Sequence, residues 1–131
     1  MKEYNKLKVW RFICMAALFI WFGCAEASID DHPPEAPHNP NPANNATAVP
    51  LDADLSWDSA GESSPPYIFD VYLGTSTDPP RILSEFPDHV WTGFSGTPNT
   101  KYYWRVVAKD GVGRMTSGPL WSFTTGDNPT P

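Results

Sequence analysis

Asp70 and Asp110 come nearest to a chemical site in this chain, because two carboxylates flanking one bond are the machinery of glycoside hydrolysis. Such a pair needs a cleft on a rigid scaffold. The stretch around these two acids is too short to build much of one. His32, His38 and His89 stand far apart, none with a Cys or carboxylate at a metal-ligand spacing. Asp52, Asp54 and Asp58 lie close together, but no glycine-bearing loop gathers further oxygens around them, so they read as a solvated strand edge. A G-x-S-x-G elbow and a phosphate-cradling glycine loop are both missing. The expectation is a chain that is not an enzyme, with no catalytic residue, no metal site and no cofactor.

Aromatic residues make up 14% of the 131 residues, with six Trp, which is enough to build a core. Fifteen prolines argue against a helical protein. The net charge is −6, and no basic run marks a nucleic-acid binder.

Residues 1–23 read as a signal peptide. Lys2, Lys6, Lys8 and Arg11 precede an apolar run from Phe12 to Gly23, too short to span a membrane and suited to a secretory core. The stretch WFGC resembles a bacterial lipobox, in which the peptide is cut before the cysteine, here Cys24, and that cysteine is lipidated. Trp21 stands where Leu is usual. A plain signal peptide cut near Ala25 or Ala27, and an uncleaved anchor, stay open as alternatives. Cys14 and Cys24 are the only cysteines, so the domain beyond them holds no disulfide. Cleavage before Cys24 would remove four cations and Glu3, leaving five Lys/Arg against fourteen Asp/Glu. The expected location is the cell envelope, lipid-anchored to a bacterial membrane and facing periplasm or exterior.

Residues 24–37, rich in acids and proline, read as a flexible tether. From residue 38 the pattern is that of short strands parted by turns. Leu51, Ala53, Leu55 and Trp57 alternate with polar residues. Tyr67, Phe69, Val71 and Leu73 share a face in YIFDVYLG. RILSEF and VWTGF are short strands, and LWSFTT closes the domain with Trp121 and Phe123 on one face. In KYYWRVVAK, Tyr102, Trp104, Val106 and Ala108 fall on one face and Tyr103, Arg105, Val107 and Lys109 on the other. The core is expected to hold Leu55, Trp57, Phe69, Val71, Tyr102, Trp104, Val106, Trp121 and Phe123. The architecture is a β-sandwich over residues 38–126, with residues 127–131 as a tail.

On the outer side of the two middle strands, Tyr72, Tyr103, Arg105 and Lys109 form a candidate binding face. A flat aromatic platform with polar neighbours can stack on sugar rings or hold a protein. Cross-strand pairs that only stabilise an exposed sheet are the plainer account of the same residues.

The series Pro98-x-Thr100-x-Tyr102-x-Trp104-x-Val106-x-Ala108 resembles strand F of a fibronectin type III domain. DLSW, FDVYLGTS and GPLWSFTT resemble its strands B, C and G, and the likeness is closest to the bacterial surface variety. This resemblance implies an all-β fold, a seven-stranded immunoglobulin-like antiparallel sandwich. It also implies a tyrosine corner at Tyr102, whose hydroxyl would bond backbone a few residues upstream. Gly96 stands where the family usually has Leu, and Phe94 is expected to fill that space. Such modules serve spacing, display or contact with a protein or glycan at the cell surface, often inside larger multidomain proteins. The expected role is therefore a non-catalytic lipoprotein module. A carbohydrate-binding or adhesin module, or a fragment of a larger surface protein, are the alternatives.

Overall fold

The computed structural model describes residues 32–59 and 65–127. The signal peptide, Cys24, most of the tether and residues 128–131 lie outside the described residues. Nine strand segments are found there: β1 (His38–Asn41), β2 (Ala46–Val49), β3 (Leu55–Asp58), β4 (Ile68–Gly74), β5 (Arg81–Phe86), β6 (Val90–Trp91), β7 (Lys101–Lys109), β8 (Met115–Ser117) and β9 (Trp121–Thr125).

They form two sheets, one in the order β1-β3-β6 and one in the order β2-β9-β7-β4-β5, with β8 beside β7. The nine segments occupy seven strand positions, because the first and last strands are each broken in two. After β1 comes Pro42, which has no N–H for a ladder, and the chain crosses to the other sheet there. Asn44 and Asn45 pin the crossing: Ser122 N–H donates to Asn44 Oδ1, and Asn45 N–H donates to the Ser122 carbonyl. Asn45 sits at φ 69°, left-handed backbone that Asn tolerates. This crossing makes β2 run parallel to β9, while every other pairing is antiparallel. The last strand breaks at Gly118 and Pro119. A Cβ at Gly118 would lie 3.1 Å from both the Pro37 and Val106 carbonyl oxygens.

Two positions differ from the simple alternation. The run from Leu51 turns at its start, where Ala53 N–H bonds the Pro50 carbonyl, and the strand begins only at Leu55. In β5, Phe86 pairs Phe69 and Leu83 pairs Val71, so Ser84 and Glu85 together face Asp70 alone. The extra residue is a bulge with Glu85 at φ 57°. Packing also begins ahead of β1: Pro34 and Pro37 are buried, and Ser59 Oγ donates to the Glu35 carbonyl.

Between the sheets lie Leu55, Trp57, Phe69, Val71, Trp104, Val106, Trp121 and Phe123, each less than a twentieth exposed. Val49, Leu73, Phe94 and Ala108 complete the buried set. Trp104 is wholly buried, its ring 4.9 Å from Trp121 and 6.4 Å from Trp57. Neither the Trp57 nor the Trp104 indole N–H has an acceptor, so ring packing alone holds them.

Tyr102 is half-buried, stacked at 5.6 Å on Phe123. Its hydroxyl accepts the Thr97 N–H at 3.0 Å, five residues upstream. Phe94 meets Tyr102 and Phe123 edge-on at 5.1 and 5.4 Å. A Cβ at Gly96 would come within 2.5 Å of Phe94 Cζ, so the glycine leaves the room that the Phe94 ring occupies. Tyr102→Phe removes the acceptor of a loop N–H while keeping the ring. It should lower stability by about 1 kcal/mol in a urea titration, and an unchanged midpoint would show that the corner contributes nothing.

Candidate functional site: the outer face of the large sheet

β4 and β7 pair along their whole length, which fixes what stands beside what on the outer face. Tyr72 pairs Arg105 on one side and Arg81 of β5 on the other. The Arg105 guanidinium lies 5.2 Å from the centre of the Tyr72 ring, and Lys101 Nζ lies 5.3 Å from that of Tyr103. Both are cation–π contacts. Opposite Tyr103 stands Gly74, which has no side chain, and on the other side Ser122 of β9. Each of the two tyrosine rings thus carries a cation on its face.

Asp70 is the centre of a second cluster. Alternation puts it on this outer face, yet it is only 3% exposed. Lys109 Nζ lies 3.2 Å and Arg81 Nη1 3.1 Å from its Oδ2. Its Oδ1 accepts the N–H of Glu85 at 3.0 Å. That N–H belongs to the β5 bulge, where ladder pairing is broken, so Asp70 supplies the acceptor the bulge removed. Burial pushes the Asp70 carboxyl up, but the Glu85 N–H and the Lys109 and Arg81 cations outweigh it and hold it below the ordinary aspartate range. Lys109 is therefore engaged within the sheet and is not part of a free platform with Tyr72, Tyr103 and Arg105.

Asp110 is used in a similar way at the β7–β8 turn. Its Oδ1 accepts the N–H groups of Val112 and Arg114, and its Oδ2 accepts Arg114 Nε at 2.8 Å. Desolvation raises its pKa, the Arg114 and Val112 hydrogen bonds lower it more, and the net direction is down. Gly111 packs this turn so closely that a Cβ there would sit 2.3 Å from the Pro65 carbonyl oxygen. The two acids belong to separate hydrogen-bond networks, each built into the fold.

His89 packs edge-on to Phe69 at 4.7 Å, and His38 Nδ1 lies 3.2 Å from the Ala36 carbonyl. Asp52, Asp54 and Asp58 are exposed, and no group of three or more metal-ligating side chains is found among the described residues. A shallow groove lies where the first strand crosses sheets, lined by Asn41, Ala46, Ala48, Ala53 and Asp54 among others. Lys101 is absent from the face expected from the sequence, and Asp70, which alternation puts on that side, is buried there between Arg81 and Lys109. The strand sequence carries no register, so nothing in it shows that Arg81, Asp70 and Lys109 meet.

No family model and no curated protein matches the chain in sequence. Among solved structures, the fibronectin type III domain of the human fibronectin type III domain containing protein 3 is similar, with a TM-score of 0.56 and 18% identity. That match covers 83% of this chain and 97% of the other. An α-L-rhamnosidase from Dictyoglumus thermophilum matches with a TM-score of 0.52 and 16% identity, over 78% of this chain and 13% of the enzyme. An α-L-rhamnosidase from Streptomyces avermitilis, complexed with L-rhamnose, matches with a TM-score of 0.49 and 21% identity, over 70% of this chain. The chain spans only 10% of that enzyme. The described residues thus form an all-β sandwich with the fold of a fibronectin type III domain. At these identities the likeness is one of fold.

Proposed function

We infer that this chain is a non-catalytic cell-envelope lipoprotein whose sandwich serves display, spacing or protein contact. The observation that carries the non-catalytic part is the fate of Asp70 and Asp110. Each carboxylate is taken up by donors that are part of the fold, the Glu85 N–H, Lys109 and Arg81 for Asp70 and the Val112 and Arg114 groups for Asp110, so neither stands free to act on a substrate. The envelope part rests on the apolar run ending at Gly23 and on Cys24 after it. In a bacterial host fed a labelled fatty acid, the chain should take up label and fractionate with membranes. Cys24→Ser should abolish both. Label retained in the Cys24→Ser protein, or a wild-type chain free of label, would rule out the anchor.

A second reading, glycan contact through the outer face, is favoured by one feature of the site. Lys101 and Arg105 stand on tyrosine rings and make no ion pair with a carboxylate of the described residues.

A further inference from the structure

All five Lys/Arg beyond residue 24 fall within Arg81–Arg114, and four of them, Arg81, Lys101, Arg105 and Lys109, lie on the large sheet. Outside that sheet Asp52, Asp54, Asp58 and Asp88 are exposed, while Asp110 is buried and paired with Arg114. That sheet carries two acids against four cations: Glu85, exposed on the β5 bulge, and Asp70, buried and already engaging Arg81 and Lys109. Positive charge is therefore segregated onto one face of an acidic protein, and its unneutralised part is Lys101 and Arg105.

Resting on the glycan-contact reading, we propose that this face binds a linear polysaccharide bearing carboxylates at wide intervals, laid along β7 across Lys101 and Arg105. Three features select that partner. The first is the rings. A neutral sugar would stack on an open tyrosine face, and each of these rings has a cation over one of its faces. What the tyrosines present outward is charge, held in place at low entropic cost. The second is the state of Arg105. Its Nε is buried without an acceptor, so the group has lost water on one side while its charge stays unbalanced. An incoming carboxylate at the open edge of the guanidinium would supply a charge-assisted, bidentate hydrogen bond.

The third feature is spacing. Lys101 and Arg105 are four residues apart on one strand face, about 13 Å at strand rise. Between them stand Tyr103 and, on β9, Ser122 and Thr124, none of them charged. A polymer with carboxylates on alternate sugars meets such a row with few unmatched charges. A nucleic acid carries a phosphate every few ångströms and would bring anions that find no cation and face an acidic surround. The hydroxyl of Thr124 and the phenol of Tyr103 suit the sugar between two charges, while Ser122 is buried with its hydroxyl donating to Asn45 Oδ1.

The test is binding of the full chain, in non-ionic detergent, to immobilised hyaluronate, to neutral dextran and to single-stranded poly-dT. Hyaluronate should bind and be released by moderate salt. Lys101→Glu and Arg105→Glu should each weaken it by about tenfold or more with little change in Tm, and Lys101→Gln should fall between. Equal binding of dextran and hyaluronate would overturn the anionic partner while leaving glycan contact standing. Tighter binding of poly-dT would overturn the argument from charge spacing. Absence of binding to all three, or wild-type affinity in both Glu variants, would overturn the proposal, and the first of these would remove the glycan reading with it.

Discussion

Trp104→Ala should destabilise the domain by about 3–5 kcal/mol, the range for deleting a large aromatic from a core. Trp104 is wholly buried, and the rings of Trp121 and Trp57 close on it from β9 and β3 at 4.9 and 6.4 Å. It belongs to the large sheet, while Trp57 reaches it from the small one, so the pair is a principal contact between the two layers. Leu55 and Val106 are themselves fully buried in the same core, so a shift of either to fill the space would open another. A domain of this size has a total stability of about 5–15 kcal/mol. The variant should therefore unfold at markedly lower urea, followed by circular dichroism because the fluorescence itself changes. Tyr103→Ala, one residue along and on the outer face, should move the midpoint little. Equal loss in both variants would mean that the two faces of β7 are not inside and outside.

Asp70→Ala should be the most damaging change on the outer face, costing about 2 kcal/mol. It removes the acceptor of the bulge N–H and leaves Arg81 and Lys109 facing each other without the anion between them. The effect has a pH signature. The folded pKa of Asp70 is depressed, so its stabilisation is present above the unfolded value, about 3.9, and is lost as pH falls through the folded value. The gap in stability between wild type and Asp70→Ala should be widest at neutral pH and close progressively below about pH 4. A gap that stays constant through the acid range would mean the carboxylate is not ionised and paired in the folded domain.

The inner face of this sandwich is legible in the amino-acid order because alternation is a local property. Phe69 and Val71, or Trp104 and Val106, are two residues apart and must point the same way in any extended strand. Trp57, Trp121 and Phe123 follow the same rule, and all of these are buried. Tyr102 is the member of that set that stays half-exposed, because its hydroxyl reaches out to the Thr97 backbone.

Across strands, legibility ends. That Tyr72 lies between Arg105 and Arg81 depends on the register of three strands, and register is fixed by turns and bulges far from those residues. The spacing of Leu83 and Phe86 hints at the bulge, since two residues separate these apolar ones where a regular strand would place one. Nothing in Asp70 itself signals burial. Its position in the alternation says solvent, and only the convergence of Lys109, Arg81 and the Glu85 N–H turns a surface acid into an internal one. The same convergence takes Lys109 out of the candidate face and leaves Lys101 and Arg105 as its free charges.

Hydrogen exchange at the indole N–H groups, read by NMR on the folded chain, tests most directly whether two sheets enclose the tryptophans. The Trp57 and Trp104 indole protons should persist long after dissolution in heavy water, since both nitrogens are buried. Loss of the Trp104 indole proton within the dead time of the measurement would contradict the sandwich.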